Sequence, residues 1–565
     1  NAIHGMGASG GIINMITRRP TEQWQHNVRV ETLAQQEDLG ESLGYGASYT
    51  LSGKTGNVDV LGSATYRSSG ISYDADGVIV GFDNAQGDTM DSETLNLFLK
   101  TGYDWDDQRL ELTINRYDLS GNNNWTGVDG DYANGVPTTA SETGVQGEPV
   151  SNEITMFSLA YSKADFFGHN LRLQGFDQSF AGTYGGGTFG TFADPAFGGT
   201  VFDQSQNNSE KRGLKLTLAR DDIAGLPLGI VYGADFLNDK TNQALILTGR
   251  SWVPDTNYEN LALFAQLEYT GIDNLAVTGG VRHEESALDV DDFTTLFSYN
   301  GGQFVEGGSP EFTDTLGNIG LTYQITSDWR TFANYSEGFS MPDVGRVLRG
   351  INTPGQDVES FLNLEPIVTE NTELGLEFDN QTFSAQLSYF ASDSDFGQRL
   401  QANADGIFSV KRERTEIDGL EFRSEWTLSA TDVLGLRYAQ TDGEYDSDGD
   451  DRVDTDLGGA NMAPDRVNLS WERLWTNNLN TRLQINVLQD RKFRNAAGLS
   501  SARFAGYTTV DLFGEYSTNI GQFRLGIQNL GNKDYFTYYS QTQGSDSRNF
   551  KGIGRSFNLS WNMQF

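Results

Sequence analysis

The sequence predicts an all-β protein, a transmembrane antiparallel β-barrel of about 22 strands. Three observations support this prediction. Apolar residues recur at every second position, short turns alternate with long polar loops along the chain, and no run of 18 or more apolar residues provides a membrane-spanning helix. Because lipid-facing and lumen-facing positions alternate in a membrane barrel, such a chain can be polar on average and still lie in lipid.

The alternating pattern recurs from one end of the chain to the other. Apolar side chains occupy every other position in four segments, at 43–51, 261–269, 383–389 and 557–565. The intervening residues are mostly polar or charged. Alternation with a period of two places one face of a strand against an apolar medium and the opposite face against a polar one.

The connections between the predicted strands differ in length. Short turns are predicted at 52–56, 429–432 and 476–478. Long polar loops are predicted at 123–149, 186–208, 291–311, 343–363, 446–463 and 539–552. Outer-membrane barrels have short turns on the periplasmic side and long loops on the extracellular side. We place the first strand near 23–36 and the last near 555–565, so an even number of strands leaves both ends of the barrel on the short-turn side.

Aromatic residues near the strand ends predict an interfacial girdle, in which amphipathic rings lie at the edge of the membrane. The tryptophans on which this prediction rests are Trp24, Trp105, Trp329, Trp426, Trp471, Trp475 and Trp561.

Composition excludes several classes of function. The chain has 39 Lys and Arg against 77 Asp and Glu, a formal net charge of −38. No nucleic-acid partner is expected, because neutralising phosphates requires clustered basic side chains. The lack of Cys excludes disulfides, thiolate metal sites and cysteine nucleophiles. The four His are far apart and no catalytic serine or zinc motif occurs, so we expect no enzyme activity.

Three stretches carry a resemblance to a known family. They read GMGASGGIINMITRRP at 5–20, YSEGFSMPD at 335–343 and IQNLGNKDY at 527–535, the last followed by a final strand that ends in Phe565. These stretches resemble parts of the TonB-dependent outer-membrane receptors. The first resembles the end of their plug domain, the second a loop found in siderophore receptors, and the third their C-terminal signature. The continuation VGRVLRG at 344–350 is most similar to receptors for hydroxamate–carboxylate siderophores of the aerobactin type.

The resemblance implies two domains and a function. Residues 1–20 would be the end of a plug domain and residues 21–565 the receptor barrel, with most of the plug expected to be missing from this sequence. The implied protein lies in the outer membrane of a Gram-negative bacterium, in contact with lipid and lipopolysaccharide. It would bind a ferric siderophore at its extracellular face and import it with energy from the TonB–ExbB–ExbD complex, without a cofactor or resident metal.

Other interpretations remain open. The cargo could be haem, cobalamin or a saccharide, and the chain could instead be a passive or adhesive barrel. Haem is disfavoured because the loop at 343–363 contains no His, although Tyr or Met can also serve as an axial ligand. The acidic stretch at 446–456 resembles the start of a calcium loop, but Asp451 and Leu457 stand where an EF-hand needs Gly and Glu. We therefore expect a solvated acidic loop there.

The candidate ligand-binding residues are basic and aromatic side chains of the predicted external loops. Planar guanidinium groups suit carboxylates, and ferric complexes of carboxylate-bearing siderophores are anionic. Apolar walls would come from loop aromatics. The residues selected are Arg346, Arg349, Arg250, Trp252, Trp125, Tyr538 and Tyr539, with Arg399, Lys411 and Arg412 as weaker candidates. The alternative is that these arginines only pair with the many loop acids, as surface ion pairs of little energetic value.

Overall fold

The computed structural model describes residues 13–361, 364–402 and 408–565. Within these residues, 22 strands form one closed antiparallel barrel. The first strand pairs with the last, with Asn27 opposite Gln564, and each other barrel strand pairs with its neighbours in sequence. The predicted fold class and strand number are confirmed.

The strands of the barrel are numbered in chain order. Their bounds are β1 Gln25–Gln35, β2 Gly44–Thr55, β3 Val58–Ser69, β4 Ser92–Trp105, β5 Gln108–Gly121, β6 Ser151–Phe166, β7 His169–Gly187, β8 Asp203–Arg220, β9 Leu228–Leu245, β10 Arg250–Ile272, β11 Leu275–Val290, β12 Glu311–Gln324, β13 Trp329–Ser340, β14 Ile367–Asp379, β15 Phe383–Ala402, β16 Phe408–Thr427, β17 Asp432–Tyr445, β18 Arg466–Thr476, β19 Leu479–Leu488, β20 Tyr507–Thr518, β21 Gly521–Gln528 and β22 Ser556–Gln564.

The two faces of the strands differ in polarity, as the alternating pattern predicts. The outer face carries exposed apolar side chains, such as Leu97, Leu263 and Leu374. The inner face carries charged side chains that pair across strands. Arg109 of β5 contacts Asp59 of β3 at 2.6 Å between Nη1 and Oδ2. The exterior is therefore suited to lipid and the interior to water or a polar partner.

The connections separate by length on the two sides of the barrel. Turns of two residues join strands on one side, for example at 106–107 and 273–274, whereas loops on the other side extend over 122–150 and 341–366. Asp106 and Asn274 adopt φ angles of 48° and 64°, a left-handed conformation that Asp and Asn tolerate better than most residues. The predicted sorting of turns and loops is confirmed, although the connection at 246–249 is short and lies on the long-loop side.

Several long loops contain short secondary structure of their own. Paired strands occur at Trp125–Val128 with Thr139–Glu142, at Phe293–Thr294 with Phe304–Val305, and at Arg491–Arg494 with Ser500–Phe504. The described residues also form two six-residue helices, α1 at Val344–Arg349 and α2 at Tyr538–Gln543. Among the described helices, none has the length and apolar character needed to cross a membrane.

The tryptophans of the predicted girdle lie at the short-turn end of the barrel. Four of the seven donate their indole N–H to polar atoms close to the turns: Trp24 to Thr55 Oγ1 (3.0 Å), Trp471 to Asp432 Oδ1 (3.1 Å), Trp475 to Thr481 Oγ1 (2.8 Å) and Trp561 to the Ile520 carbonyl (2.9 Å). An apolar ring with one polar edge fits the boundary between lipid and water.

The segment before β1 approaches the inner wall. The Lys100 ammonium of β4 donates to Thr17 Oγ1 at 3.0 Å, and the Thr21 amide donates to Ser52 Oγ at 3.2 Å. Residues 1–12, 362–363 and 403–407 lie outside the described part of the chain. The assignment of residues 1–20 to the end of a plug domain stays a prediction.

A charge placed on the outer face should destabilise the barrel if that face contacts lipid. We expect Leu267→Arg on β10 to lower the free energy of unfolding by about 2–4 kcal/mol in lipid. The reason is that an arginine on the outer face, near the membrane midplane, must place its charge in hydrocarbon. Denaturant titration of the protein folded into vesicles measures this change.

The neighbouring inward position provides the matched control. Gln266→Arg places the same charge in the lumen and should change the free energy of unfolding by less than about 1 kcal/mol. Equal effects at the two positions would contradict the assignment of the faces.

Candidate functional site

A cavity of about 470 Å³ lies at the mouth of the barrel, on the long-loop side. It is enclosed by the upper parts of β7 to β10 and by the segment that leads from β13 into α1. Its lining combines polar and aromatic side chains with two arginines, and includes Tyr184, Asn207, Asn242, Trp252, Tyr258, Met341, Arg346 and Arg349. A concave site of this size and composition suits a small molecule with both apolar and anionic parts.

Helix α1 presents both arginines to this cavity. Asp343 begins the helix, because its Oδ1 accepts the Arg346 amide at 3.0 Å, and its Oδ2 lies 2.5 Å from Arg346 Nη1. At the other end, Leu348 is fully buried in an apolar cluster with residues that include Leu288 and Val305. The cap and the buried leucine fix the rotation of α1, so that Arg346 and Arg349 face the cavity.

Arg349 is a buried cation at the base of the cavity. Only 6% of the residue is exposed. Its guanidinium lies 4.0 Å from the centre of the Trp252 ring, and its Nη1 donates to Gln243 Oε1 at 2.6 Å. Burial lowers the pKa of Arg349 to about 10, so it remains protonated at neutral pH. The ring and the amide hold a positive charge in an environment where electrostatic interactions are strong.

Arg346 also lines a second cavity, of about 440 Å³, together with Lys411 and Arg412 of β16. The Arg412 guanidinium lies 4.2 Å from the centre of the Phe396 ring, and its Nη2 donates to the Glu365 carbonyl at 2.7 Å. Its Nε and Nη1 are buried without a hydrogen-bond partner among the described residues. Burial lowers the pKa of Arg412 to about 10. Unsatisfied donors on a buried cation cost free energy, which favours binding of a ligand that provides a hydrogen-bond acceptor beside Arg412.

Arg250 lies outside both cavities. It holds the loop at 188–202 in place: its Nη2 lies 3.0 Å from the buried Asp203 carboxylate, and its Nη1 donates to the Phe192 carbonyl at 2.9 Å. Trp252, two residues further on, does line the first cavity and donates its indole N–H to Tyr299 OH at 3.2 Å. The two neighbouring candidates therefore have different surroundings.

The other aromatic candidates also lie apart from the two cavities. Trp125 belongs to the loop hairpin that pairs with Thr139–Glu142. Tyr538 and Tyr539 are on α2, where the Tyr538 ring packs edge-on against Phe504 with centroids 4.8 Å apart. Burial raises the pKa of Tyr538 to about 12. Their role in ligand binding stays a prediction.

Sequence reasoning missed the polar strand residues of the first cavity, notably Asn207, Asn242 and Gln243. They are on β8 and β9, which extend beyond the membrane to form the wall of the mouth. In the sequence they are indistinguishable from other polar lumen positions. A signal was nevertheless present, because these strands are longer than the 9–11 residues that a membrane crossing requires.

In the part of the chain that the structure describes, two acidic clusters could coordinate a cation, and both already have internal partners. Asp74, Asp76 and Asp534 surround the Lys551 ammonium, at 3.6, 2.7 and 3.0 Å. In the stretch at 446–456, Asp446 accepts backbone amides of its own turn, including Gly449 at 2.7 Å. Neither arrangement requires a metal.

Comparison with known proteins places the chain in a family. The model of a family described as TonB-dependent receptor-like β-barrel matches residues 102–530. The chain belongs to this family. The resemblance found in the sequence is thereby confirmed. The family consists of receptors and transporters of the Gram-negative outer membrane rather than enzymes, so the chain is an outer-membrane receptor.

Individual relatives support the assignment along the whole chain. The ferric aerobactin receptor of Klebsiella pneumoniae is 25% identical, over 100% of this chain and 81% of the relative. The rhizobactin receptor of Rhizobium meliloti is 24% identical, over 99% of this chain and 80% of the relative. The solved structure of FyuA, the ferric yersiniabactin uptake receptor of Yersinia pestis, matches with a TM-score of 0.72 at 16% identity. The match covers 100% of this chain and 83% of FyuA, which shows the shared fold.

Removal of Arg250 should destabilise the receptor's loop at 188–202. Arg250→Gln leaves the buried Asp203 carboxylate without its cation, and loss of one partner from a buried pair costs about 3–5 kcal/mol. We expect faster proteolytic cleavage within 188–202 and a lower denaturant midpoint.

Arg212 is the matched control, because its pair with Asp177 is exposed. Arg212→Gln should change stability by at most about 1 kcal/mol. An Arg250 variant as resistant to protease as Arg212→Gln would contradict the structural role of Arg250.

Proposed function

We propose that this receptor binds a ferric siderophore that carries carboxylate groups, of the hydroxamate–carboxylate class, and imports it across the outer membrane. The observation that carries the proposal is the convergence of Arg346, Arg349 and Trp252 on one cavity at the mouth of the barrel. The curated relatives described as ferric aerobactin and rhizobactin receptors support the same cargo class.

The lining of the cavity matches the chemistry of such a chelate. Bidentate hydrogen bonds from guanidinium groups suit carboxylates, and the buried setting of Arg349 strengthens its attraction for an anion. Tyr184, Tyr258 and Met341 provide apolar surface for the organic backbone of the ligand. The iron is cargo held by the siderophore itself, so the site needs no metal ligands from the protein.

The net charge of −38 does not prevent an anion from binding at the mouth. At physiological ionic strength, exposed charges more than about 8 Å apart are largely screened. The nearest charges therefore dominate, and those around the two cavities include four cations: Arg346, Arg349, Lys411 and Arg412. Three acids lie in the same surroundings. Asp239 and Glu413 pair with Lys211 and Arg399, at 3.0 and 2.8 Å, whereas Asp343 pairs with Arg346 at 2.5 Å. The positive charge that remains for an anion is therefore that of Arg349, Lys411 and Arg412.

Transport requires no covalent chemistry at this site. We infer that residues 1–20 form the end of a plug domain that closes the lumen, and that the TonB–ExbB–ExbD complex supplies the energy to move it. The contact between Thr17 and Lys100 supports a path for this segment along the inner wall. Lipid and lipopolysaccharide would contact the apolar exterior.

Arg349 should dominate the affinity for the ligand. Arg349→Gln should weaken binding of ferric aerobactin by about tenfold or more, since one charge-assisted hydrogen bond contributes about 1.5–3 kcal/mol. Quenching of tryptophan fluorescence in detergent-solubilised receptor measures the dissociation constant.

Arg212→Gln, on the outer face of β8, should leave the affinity unchanged. Failure to bind any of a panel of ferric hydroxamate and carboxylate siderophores, with tight binding of haem, cobalamin or a saccharide, would reject the cargo class while leaving the family assignment intact.

The second cavity should contribute if the ligand spans both. Arg412→Gln would then weaken binding of ferric aerobactin several-fold, because the acceptors of the ligand lose the buried Nε and Nη1 donors of Arg412. Arg330→Gln is the control, because Arg330 is near the short-turn end of β13, away from both cavities, and its Nε donates to Glu377 at 2.6 Å. An unchanged affinity of the Arg412 variant would confine the ligand to the first cavity.

A further inference from the structure

One hairpin on the long-loop side has a charge opposite to that of the protein as a whole. This basic hairpin pairs Arg491–Arg494 with Ser500–Phe504 in the loop between β19 and β20. Residues 491–504 contain four basic residues and no acidic one, in a chain with 77 acidic and 39 basic residues. The hairpin is therefore a local exception to the composition of the chain.

One face of the basic hairpin is packed against other loops. Phe493 and Phe504 share this face and are fully buried. The Phe504 ring packs edge-on against Tyr538 of α2, with 4.8 Å between the ring centroids. Helix α2 in turn contacts the loop between β5 and β6, where Tyr132 OH donates to the Gln541 carbonyl at 3.1 Å. The packed face is thus directed toward the loops that cover the mouth.

The opposite face carries three cations. Lys492, Arg494 and Arg503 are all exposed, and the register places Lys492 directly opposite Arg503. Like charges directly opposite each other in an antiparallel pair are destabilising. None of the three side chains forms an ion pair with a described residue. Asp456 lies beside the hairpin, but its Oδ2 accepts the backbone amide of Arg494, at 2.7 Å.

The wall of the barrel is low where the basic hairpin begins. The neighbouring strands β18 and β19 have 11 and 10 residues, about the length of one membrane crossing, whereas β7 and β10 have 19 and 23. β19 ends at Leu488 and the hairpin starts at Arg491. The base of the hairpin therefore lies at the surface of the membrane, at the level of the headgroups of the outer leaflet.

A plug domain in the lumen does not reach the cationic face. The three cations are on the side of the hairpin that turns away from the mouth, outside the barrel. The segment before β1 follows the inner wall in the short-turn half, where Thr17 contacts Lys100 and Thr21 contacts Ser52. The lack of acidic partners is thus a property of the exterior of the receptor.

We propose that the basic hairpin binds the phosphate groups of lipopolysaccharide in the surrounding outer leaflet. The planar donors of Arg494 and Arg503 suit phosphate oxygens, and Lys492 adds a point charge. Phosphates between Lys492 and Arg503 would relieve the repulsion of the two side chains. This binding requires the outer-membrane location but not the cargo assigned to the mouth, since the hairpin lines neither of the two cavities there.

The test uses the full 565-residue chain in detergent, with fluorescently labelled short-core lipopolysaccharide as the probe. EDTA is present, so that no divalent cation bridges phosphates to the acidic loops. Each Lys or Arg beside an anionic lipid surface increases the affinity about fivefold. The triple variant Lys492→Gln, Arg494→Gln and Arg503→Gln should therefore bind about a hundredfold more weakly, as measured by fluorescence anisotropy.

The matched control removes three outer-face arginines that already pair with acids: Arg116, Arg212 and Arg414, each replaced by Gln. It changes the net charge by the same amount and should bind lipopolysaccharide nearly as the wild type does. Unchanged binding of ferric aerobactin by the hairpin variant is expected as well, which separates this surface from the site at the mouth.

Five results would overturn the proposal. They are no lipopolysaccharide binding by the wild-type chain, an equal loss of binding in the control variant, equal binding of dephosphorylated lipopolysaccharide, displacement of the probe by a soluble anionic polysaccharide, and a parallel loss of ferric aerobactin binding in the hairpin variant. Retained barrel mobility of the unheated protein on a gel verifies folding. If the triple variant does not fold, Lys492→Gln and Arg503→Gln are tested singly, and each should weaken lipopolysaccharide binding about fivefold.

Discussion

Closure of the sheet is the constraint on which the rest of the structure depends. A strand in lipid cannot leave backbone N–H and C=O groups unpaired, since no water is present to satisfy them. Pairing of β1 with β22 removes both edges at once. With 22 strands the barrel is too wide for side chains to fill, so its inner wall must be polar and its lumen is available for a path or a plug.

Local charge, rather than net charge, gives the mouth its chemistry. The protein is strongly acidic, yet the loops and strand tops concentrate arginines at two adjoining cavities. Arg349 keeps its charge while buried because Trp252 and Gln243 contact its guanidinium. Other basic side chains are neutralised, as Lys551 is by three aspartates, and serve only to hold loops together. Which arginines are available to a ligand is thus decided by their partners.

The periodic features of the sequence predicted the fold class, the number of strands and the positions of the first and last strands. The first and last strands were expected near 23–36 and 555–565, and they occur at Gln25–Gln35 and Ser556–Gln564. The candidate site was predicted less completely. Arg346, Arg349 and Trp252 come together, whereas Arg250, two residues before Trp252, points to Asp194 and Asp203 instead. A sequence pattern identifies arginines in loops but does not distinguish an arginine that holds a loop from one that faces a cavity.

The sequence by itself determined the architecture, because alternation with period two and the lengths of the connections are local properties that each strand carries independently. Only the tertiary structure decided the sites. The mouth joins α1 to β9 and β10, and the register of the basic hairpin turns Phe493 and Phe504 inward and places Lys492 opposite Arg503 on the exterior. Such contacts depend on strand register and loop packing, and a shift of a single residue would turn every one of these side chains to the other face of the sheet.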